Sequence, residues 1–136
     1  MIYIVNTVQD TIDVGMQFAE SLKGGDIVSL NGDLGVGKTV FAKGVAMGLG
    51  VQGAVISPTF VLCCEYNAKH NNLVHIDAYR LQDVDIRETG LLDKIGDKCN
   101  IVLIEWAEYI TAQPNYIVNI LQIDDSVRQI EVRGML

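Results

Sequence analysis

Three observations predict an α/β fold of three layers, with a mixed, mainly parallel central sheet and a C-terminal hairpin. A glycine-rich loop, Gly-Asp-Leu-Gly-Val-Gly-Lys-Thr at 32–39, stands between a short apolar strand and a helix. Ile101-Val-Leu-Ile104 is an uninterrupted apolar run, as expected of a central parallel strand covered on both faces. Segments 116–123 and 127–133, joined through Asp124-Asp125-Ser126, read as a closing hairpin. Strand–helix–strand order early and hairpins later suit a sheet layered with helices.

Taken in order, residues 2–6 read as a first strand. Asp10 or Thr11 is placed to cap a helix whose inward positions are Ile12, Met16, Ala19 and Leu22, ended by Gly24-Gly25. Residues 26–31 read as a buried strand, and residues 40–49 as a helix with an apolar stripe through Phe41, Val45, Met47 and Leu49. Gly48-Leu-Gly-Val-Gln-Gly53 matches a dinucleotide-binding pattern in letters only. It follows a helix instead of a strand, so it reads as helix termination. Ser57-Pro-Thr-Phe60 is a polar loop in which Pro58 biases Ser57 toward extended backbone. Residues 61–66 and 73–77 read as strands of an antiparallel hairpin around the polar turn 67–72, and residues 83–92 as a helix weakened by Gly90.

The length of 136 residues fits a single domain, 1–136, with one core. No apolar run approaches the ~20 residues of a membrane span. The N-terminus, Met-Ile-Tyr-Ile-Val, shows no basic region and no cleavage site, so no secretory signal is expected. The three cysteines, Cys63, Cys64 and Cys99, form no C-x-x-C pair, which argues against zinc and a disulfide framework and for reduced thiols in a cytoplasmic protein. The net charge of −7 opposes broad contact with a phosphate backbone, so any nucleic acid is expected to be gripped by something else.

The loop fits the phosphate-binding pattern G-x-x-x-x-G-K-[ST] at each fixed position, and its strand–loop–helix context is the required one. This makes the predicted fold that of the P-loop NTPases. Glycines at 32, 35 and 37 let backbone N–H groups close on a phosphate, and the helix N-terminus adds partial positive charge. The nucleotide-binding run is Gly32, Asp33, Leu34, Gly35, Val36, Gly37, Lys38, Thr39 and Val40. Lys38 reaches the β- and γ-phosphates and the Thr39 hydroxyl holds Mg²⁺. No Asn-Lys-x-Asp run of the kind that reads guanine is present, which favours ATP.

Ligands in such folds lie beyond the carboxyl ends of parallel strands. Glu105, directly after the apolar run, is placed to hold Mg²⁺ or its waters. Asp77 ends its strand on the same face as His75; it either positions water or shares the metal, or it caps the turn into Ala78-Tyr79-Arg80. Arg80 either offsets γ-phosphate charge or pairs with Glu88. Trp106 is either core or a cover for the site, and Thr11 either approaches the base or only caps its helix. His70 reads as a solvated residue of the polar turn.

Five segments in this order together resemble the TsaE (YjeE) family: Gly-Asp-Leu-Gly-x-Gly-Lys-Thr (32–39), Ser-Pro-Thr-Phe (57–60), His-x-Asp-x-Tyr-Arg-Leu (75–81), a loose Glu-x-x-Gly match near Glu88, and Ile-Glu-Trp-Ala-Glu (104–108). The resemblance implies a small bacterial ATPase for threonylcarbamoyladenosine modification of tRNA. It also implies ATP and Mg²⁺ as ligands and partners like TsaB and TsaD, which carry out transfer to tRNA while this protein regulates or resets them. By position, Lys38 and Thr39 would bind phosphate and Mg²⁺, Glu105 would be a metal ligand, and Asp77 and Trp106 would be needed for hydrolysis. Thr11 would lie near the nucleotide. Val36, Ala78, Val61 and Cys63-Cys64 depart from the family's usual residues, and none removes a polar group with a role. Two rival functions share the loop: a small-molecule or nucleoside kinase, and a nucleotide-dependent interaction switch with little turnover. Phosphate release without an acceptor separates the ATPase from the first. Partner binding that persists when hydrolysis is blocked marks the second.

Overall fold

The structure is a computed structural model that describes residues 1–58, 62–82, 86–110 and 112–135, without the side chains of Arg80 and Ile86. Among them, seven strands form one sheet: β1 (Ile2–Val5), β2 (Ile27–Asn31), β3 (Cys63–Asn67), β4 (Asn72–Asp77), β5 (Asn100–Glu105), β6 (Tyr116–Gln122) and β7 (Arg128–Gly134). Their order is β1-β7-β6-β2-β5-β4-β3. The four central strands, β6-β2-β5-β4, run parallel, and antiparallel pairs close the sheet at either side. β5 is buried along its whole length, as its apolar run requires.

Side-chain alternation sends two different sets of residues to the two faces. Val28, Leu30, Leu73, Ile101, Leu103, Val118, Ile120 and Ile130 pack with helices α1 (Val8–Ala19) and α2 (Lys38–Leu49). Val74, Ile76, Val102 and Ile104 face the other way, against Leu81, Leu91 and Ile110. The third layer is thus built largely from 3-10 turns. Phe41 anchors the helical side: it is fully buried, and its ring centroid lies 5.8 Å from that of Phe18, which meets Tyr116 edge-on at 5.2 Å. Truncating such a side chain to alanine typically costs about 3–5 kcal/mol.

The two helices touch through small residues. A Cβ on Gly15 would stand 2.6 Å from the Phe41 carbonyl oxygen, and one on Gly48 would stand 2.6 Å from Ala19 Cβ. A Cβ on Gly44 would overlap the Ile12 carbonyl. This close approach holds α2 against α1, and with it the first turn that carries Lys38 and Thr39.

Several expectations need correction. The N-cap of α1 is Thr7, and Asp10 is the third helical residue: Thr7 Oγ1 accepts from the Asp10 N–H at 3.0 Å, while Asp10 Oδ2 accepts from the Asn6 and Thr7 N–H groups. This reciprocal capping box starts the helix three residues earlier than an Asp10 cap would, and four earlier than a Thr11 cap. Met16 and Met47 are 37% and 46% exposed rather than inward, because glycines, not large side chains, occupy the helix–helix seam. The helix expected over 83–92 is replaced, where described, by 3-10 turns at Ile86–Glu88 and Leu91–Asp93; residues 83–85 lie outside the described residues. Thr59, Phe60 and Val61, from the polar loop and the start of the expected strand, also lie outside them. Gly50 ends α2 in the left-handed conformation, with the Val51 N–H donating to the Ala46 carbonyl at 2.9 Å, so the second glycine pattern is a helix stop.

Candidate nucleotide-binding site

The glycine loop joins the C-terminal end of β2 to the N-terminus of α2. Gly35 and Gly37 take φ values of +79° and +120°, which strain any residue with a side chain, and nothing lies within 4 Å of where a Cβ would stand. Gly32 is required for the opposite reason: a Cβ there would be 2.6 Å from Val36 Cγ1 and 2.9 Å from the Ile120 carbonyl oxygen. The N-cap of α2, Gly37, offers no side-chain acceptor, so the helix's positive end has no side-chain cap of its own. Within the loop Leu34 is 91% exposed, while Val36 is buried in the core. Asp33 is exposed, and Thr39 and Val40 are half-buried on the first turn of α2.

Glu105, at the end of β5, is the electrostatic centre. Its Oε1 lies 3.1 Å from Lys38 Nζ and its Oε2 lies 2.8 Å from His75 Nε2. Burial pushes this carboxyl up, but the hydrogen bond and charge of His75, together with Lys38, outweigh it and hold the group below its ordinary value of 4.5. An ionised carboxylate only accepts, so His75 Nε2 is the donor. His75 Nδ1 is then left, among the described residues, as the one buried side-chain nitrogen or oxygen without a hydrogen-bond partner.

Asp77 stands beside Glu105 in the register of β4 and β5. It is buried, and its Oδ1 accepts from the Tyr79 N–H at 3.0 Å, so it caps the turn after β4. The Arg80 side chain lies outside the described residues, and with it the proposed pairing to Glu88. Trp106 follows Glu105 in a left-handed conformation (φ +60°) that is uncommon for a bulky residue. It is not core: its ring is 39% exposed, stacks on Tyr109 at 6.1 Å, meets Tyr79 edge-on at 5.1 Å and lies 6.0 Å from Lys38 Nζ. His70, in the turn between β3 and β4, is exposed as expected.

A recess of about 280 Å³ opens beside the loop, lined by Thr7, Thr11, Gly35, Gly37, Val40 and Arg128 among others. Thr11 is buried there, with its hydroxyl 3.5 Å from the Thr7 carbonyl. Arg128, at the start of β7, donates from Nε to the Val36 carbonyl at 3.2 Å, bringing the final hairpin against the loop. Sequence reasoning missed Arg128 and gave His75 no role. Arg128 sits in no quoted pattern, and His75, though it heads the His-x-Asp-x-Tyr-Arg-Leu segment, takes its partner from another strand; both depend on strands brought together across the sheet.

The residues fit a nucleotide with Mg²⁺. Gly35 and Gly37 leave open space for a phosphate, Lys38 supplies a cation, and one carboxylate with the Thr39 hydroxyl is the sparse protein donor set that Mg²⁺ takes beside phosphates. No group of three or more His, Cys, Asp or Glu able to hold a metal occurs among the described residues.

The parallel sheet with its loop and helix defines a protein of the P-loop NTPase class. The family model for the threonylcarbamoyl adenosine biosynthesis protein TsaE matches residues 5–132, and the chain belongs to that family. A TsaE from a Nostoc species is 34% identical over 129 residues, covering 91% of this chain and 80% of the relative. One from Mycobacterium bovis is 41% identical over 109 residues; the match spans 74% of this chain and 65% of the relative's length. The crystal structure of Bacillus subtilis YdiB superposes with a TM-score of 0.80 at 31% identity, covering 98% of this chain and 84% of that one.

Proposed function

We propose that this protein is a Mg²⁺-dependent ATPase of tRNA threonylcarbamoyladenosine modification. It works in the cytoplasm with TsaB- and TsaD-like proteins as a regulatory or resetting subunit. The observation that carries the reading is the Lys38–Glu105 pair at 3.1 Å, which aligns a cation and an acid at the mouth of an open glycine loop. Membership of the TsaE family supports the tRNA pathway.

Lys38 leaves Glu105 to meet the phosphates, exchanging one charge-assisted contact for another. That frees Glu105 Oε1, while the glycine loop and the first turn of α2 turn backbone N–H groups toward the anion. The recess beside Thr11 and Arg128 takes the remainder of the nucleotide. Thr39 and Glu105 would hold Mg²⁺, which would supply neutralisation of the phosphate charge. Asp77 orients the attacking water, and Trp106 shields the site beside Lys38.

The test is Glu105→Gln, assayed by calorimetry and by phosphate release. The swap removes one negative charge at nearly constant shape, so ATP binding persists while turnover falls about 10²-fold or more. Normal Mg²⁺-dependent turnover in this variant would refute the assignment, and absence of ATP binding in the unmodified protein would refute the reading.

A further inference from the structure

We propose that His75 is a positioning residue for Glu105: it holds Oε2 from behind, so that Oε1 alone is presented to the phosphate loop. This rests on the ATPase reading above and deepens it at the same site. His75 sits in the middle of β4 with no exposure at all, between Val74 and Ile76, which are equally buried. An aliphatic side chain suits such a position, whereas a histidine there leaves one polar nitrogen without a partner among the described residues, which is costly for a buried group. What the imidazole gains is the 2.8 Å bond to Glu105.

The bond has a directional consequence. A free glutamate turns about its last torsion and presents either oxygen, or both. With Oε2 fixed against a buried ring, rotation is blocked, and Oε1 is left on Lys38 at 3.1 Å. When Lys38 moves to a phosphate, Oε1 is the oxygen available, and the carboxylate meets a cation through one oxygen with its orientation already set. Outer partners of this kind typically change metal affinity or activity 10–100-fold when removed, an effect of about that order.

Three substitutions separate positioning from packing. Glutamine places its amide nitrogen about where Nε2 lies and keeps a donor to Oε2. Asparagine places it about where Nδ1 lies and loses that donor. Leucine removes all polarity. For each variant, ATP affinity is measured with Mg²⁺ and with EDTA, through the fluorescence of Trp106, the single tryptophan. Phosphate release gives kcat and KM, and the thermal midpoint is taken without nucleotide.

In His75→Leu and His75→Asn, the gain in ATP affinity brought by Mg²⁺ falls about tenfold or more and kcat falls 10–100-fold. Affinity in EDTA stays within about twofold, and His75→Gln recovers most of the loss. A purely structural histidine would instead move the thermal midpoint and leave the Mg²⁺ gain intact in every folded variant, which would overturn the proposal. Should His75→Leu fail to fold, the Gln and Asn pair still decides: equal behaviour of the two sinks the idea. If the unmodified protein shows no ATP binding, the ATPase reading itself fails. Normal binding with unaffected variants defeats only the role of His75.

Discussion

Substitutions at Lys38 and Asp77 test the site residue by residue, and at Asp77 one substitution separates two readings. Lys38→Ala removes the cation from the loop and leaves His75 as the partner of Glu105 among the described residues. A hydrogen bond to a charged group contributes about 1.5–3 kcal/mol, so ATP affinity is expected to fall roughly 10- to 150-fold by calorimetry. Unchanged affinity would remove Lys38 from the site. For Asp77, asparagine keeps an Oδ1 that accepts the Tyr79 N–H and discards only the charge. The thermal midpoint should therefore hold, while turnover drops about 10²-fold if the charge orients water. A normal rate would reduce Asp77 to a turn cap. The loop residues were legible because glycine, lysine and threonine at fixed spacing have one chemistry in that context. His75 and Arg128 were not, because an imidazole on an apolar strand and an arginine after a turn take their meaning from Glu105 and Val36, which are 30 and 92 residues away in sequence.

Helix α1 offers two tests at the level of the element. Thr7→Ala deletes the N-cap and is expected to cost about 1 kcal/mol in urea unfolding. The backbone N–H groups of Asn6 and Thr7 hold Asp10 below its ordinary 3.8. A lowered folded-state value means stability that is present above the unfolded value and is lost as pH falls through the folded one. The stability difference between the unmodified protein and Asp10→Asn should therefore shrink as pH drops below 3.8; a pH-independent difference would rule out the charge. At the α1–α2 seam, Gly44→Ala forces a methyl group onto the Ile12 carbonyl. Overpacking costs about 1–3 kcal/mol, against roughly 1 kcal/mol gained in helix propensity, so net destabilisation is expected. ATP binding should weaken with it, because the seam positions Lys38; a stabilised variant with normal binding would contradict this packing. The seam also explains what the sequence concealed. A large-apolar stripe predicts which methionines face inward only when large side chains make the contact, and here glycines make it. The strands were easier to read, since β5 is apolar at consecutive positions and the last hairpin alternates around an aspartate-rich turn.

For the whole molecule, the net charge of −7 opposes direct contact with a polyanion. Filter binding at low salt should show no measurable tRNA retention by the protein alone, and slow ATP hydrolysis that rises with TsaB- and TsaD-like partners. Tight tRNA binding by the lone protein would overturn the charge argument. The strand order has a consequence for synthesis as well. β2, which leads into the phosphate loop, has β6 as one of its two neighbours, and β1 pairs only with β7. Until residues 116–134 emerge from the ribosome, one flank of β2 has no partner strand and β1 has none at all. Nucleation of this sheet is accordingly a late, long-range event, and the nascent chain carries unpaired apolar edges of the kind that chaperones shield.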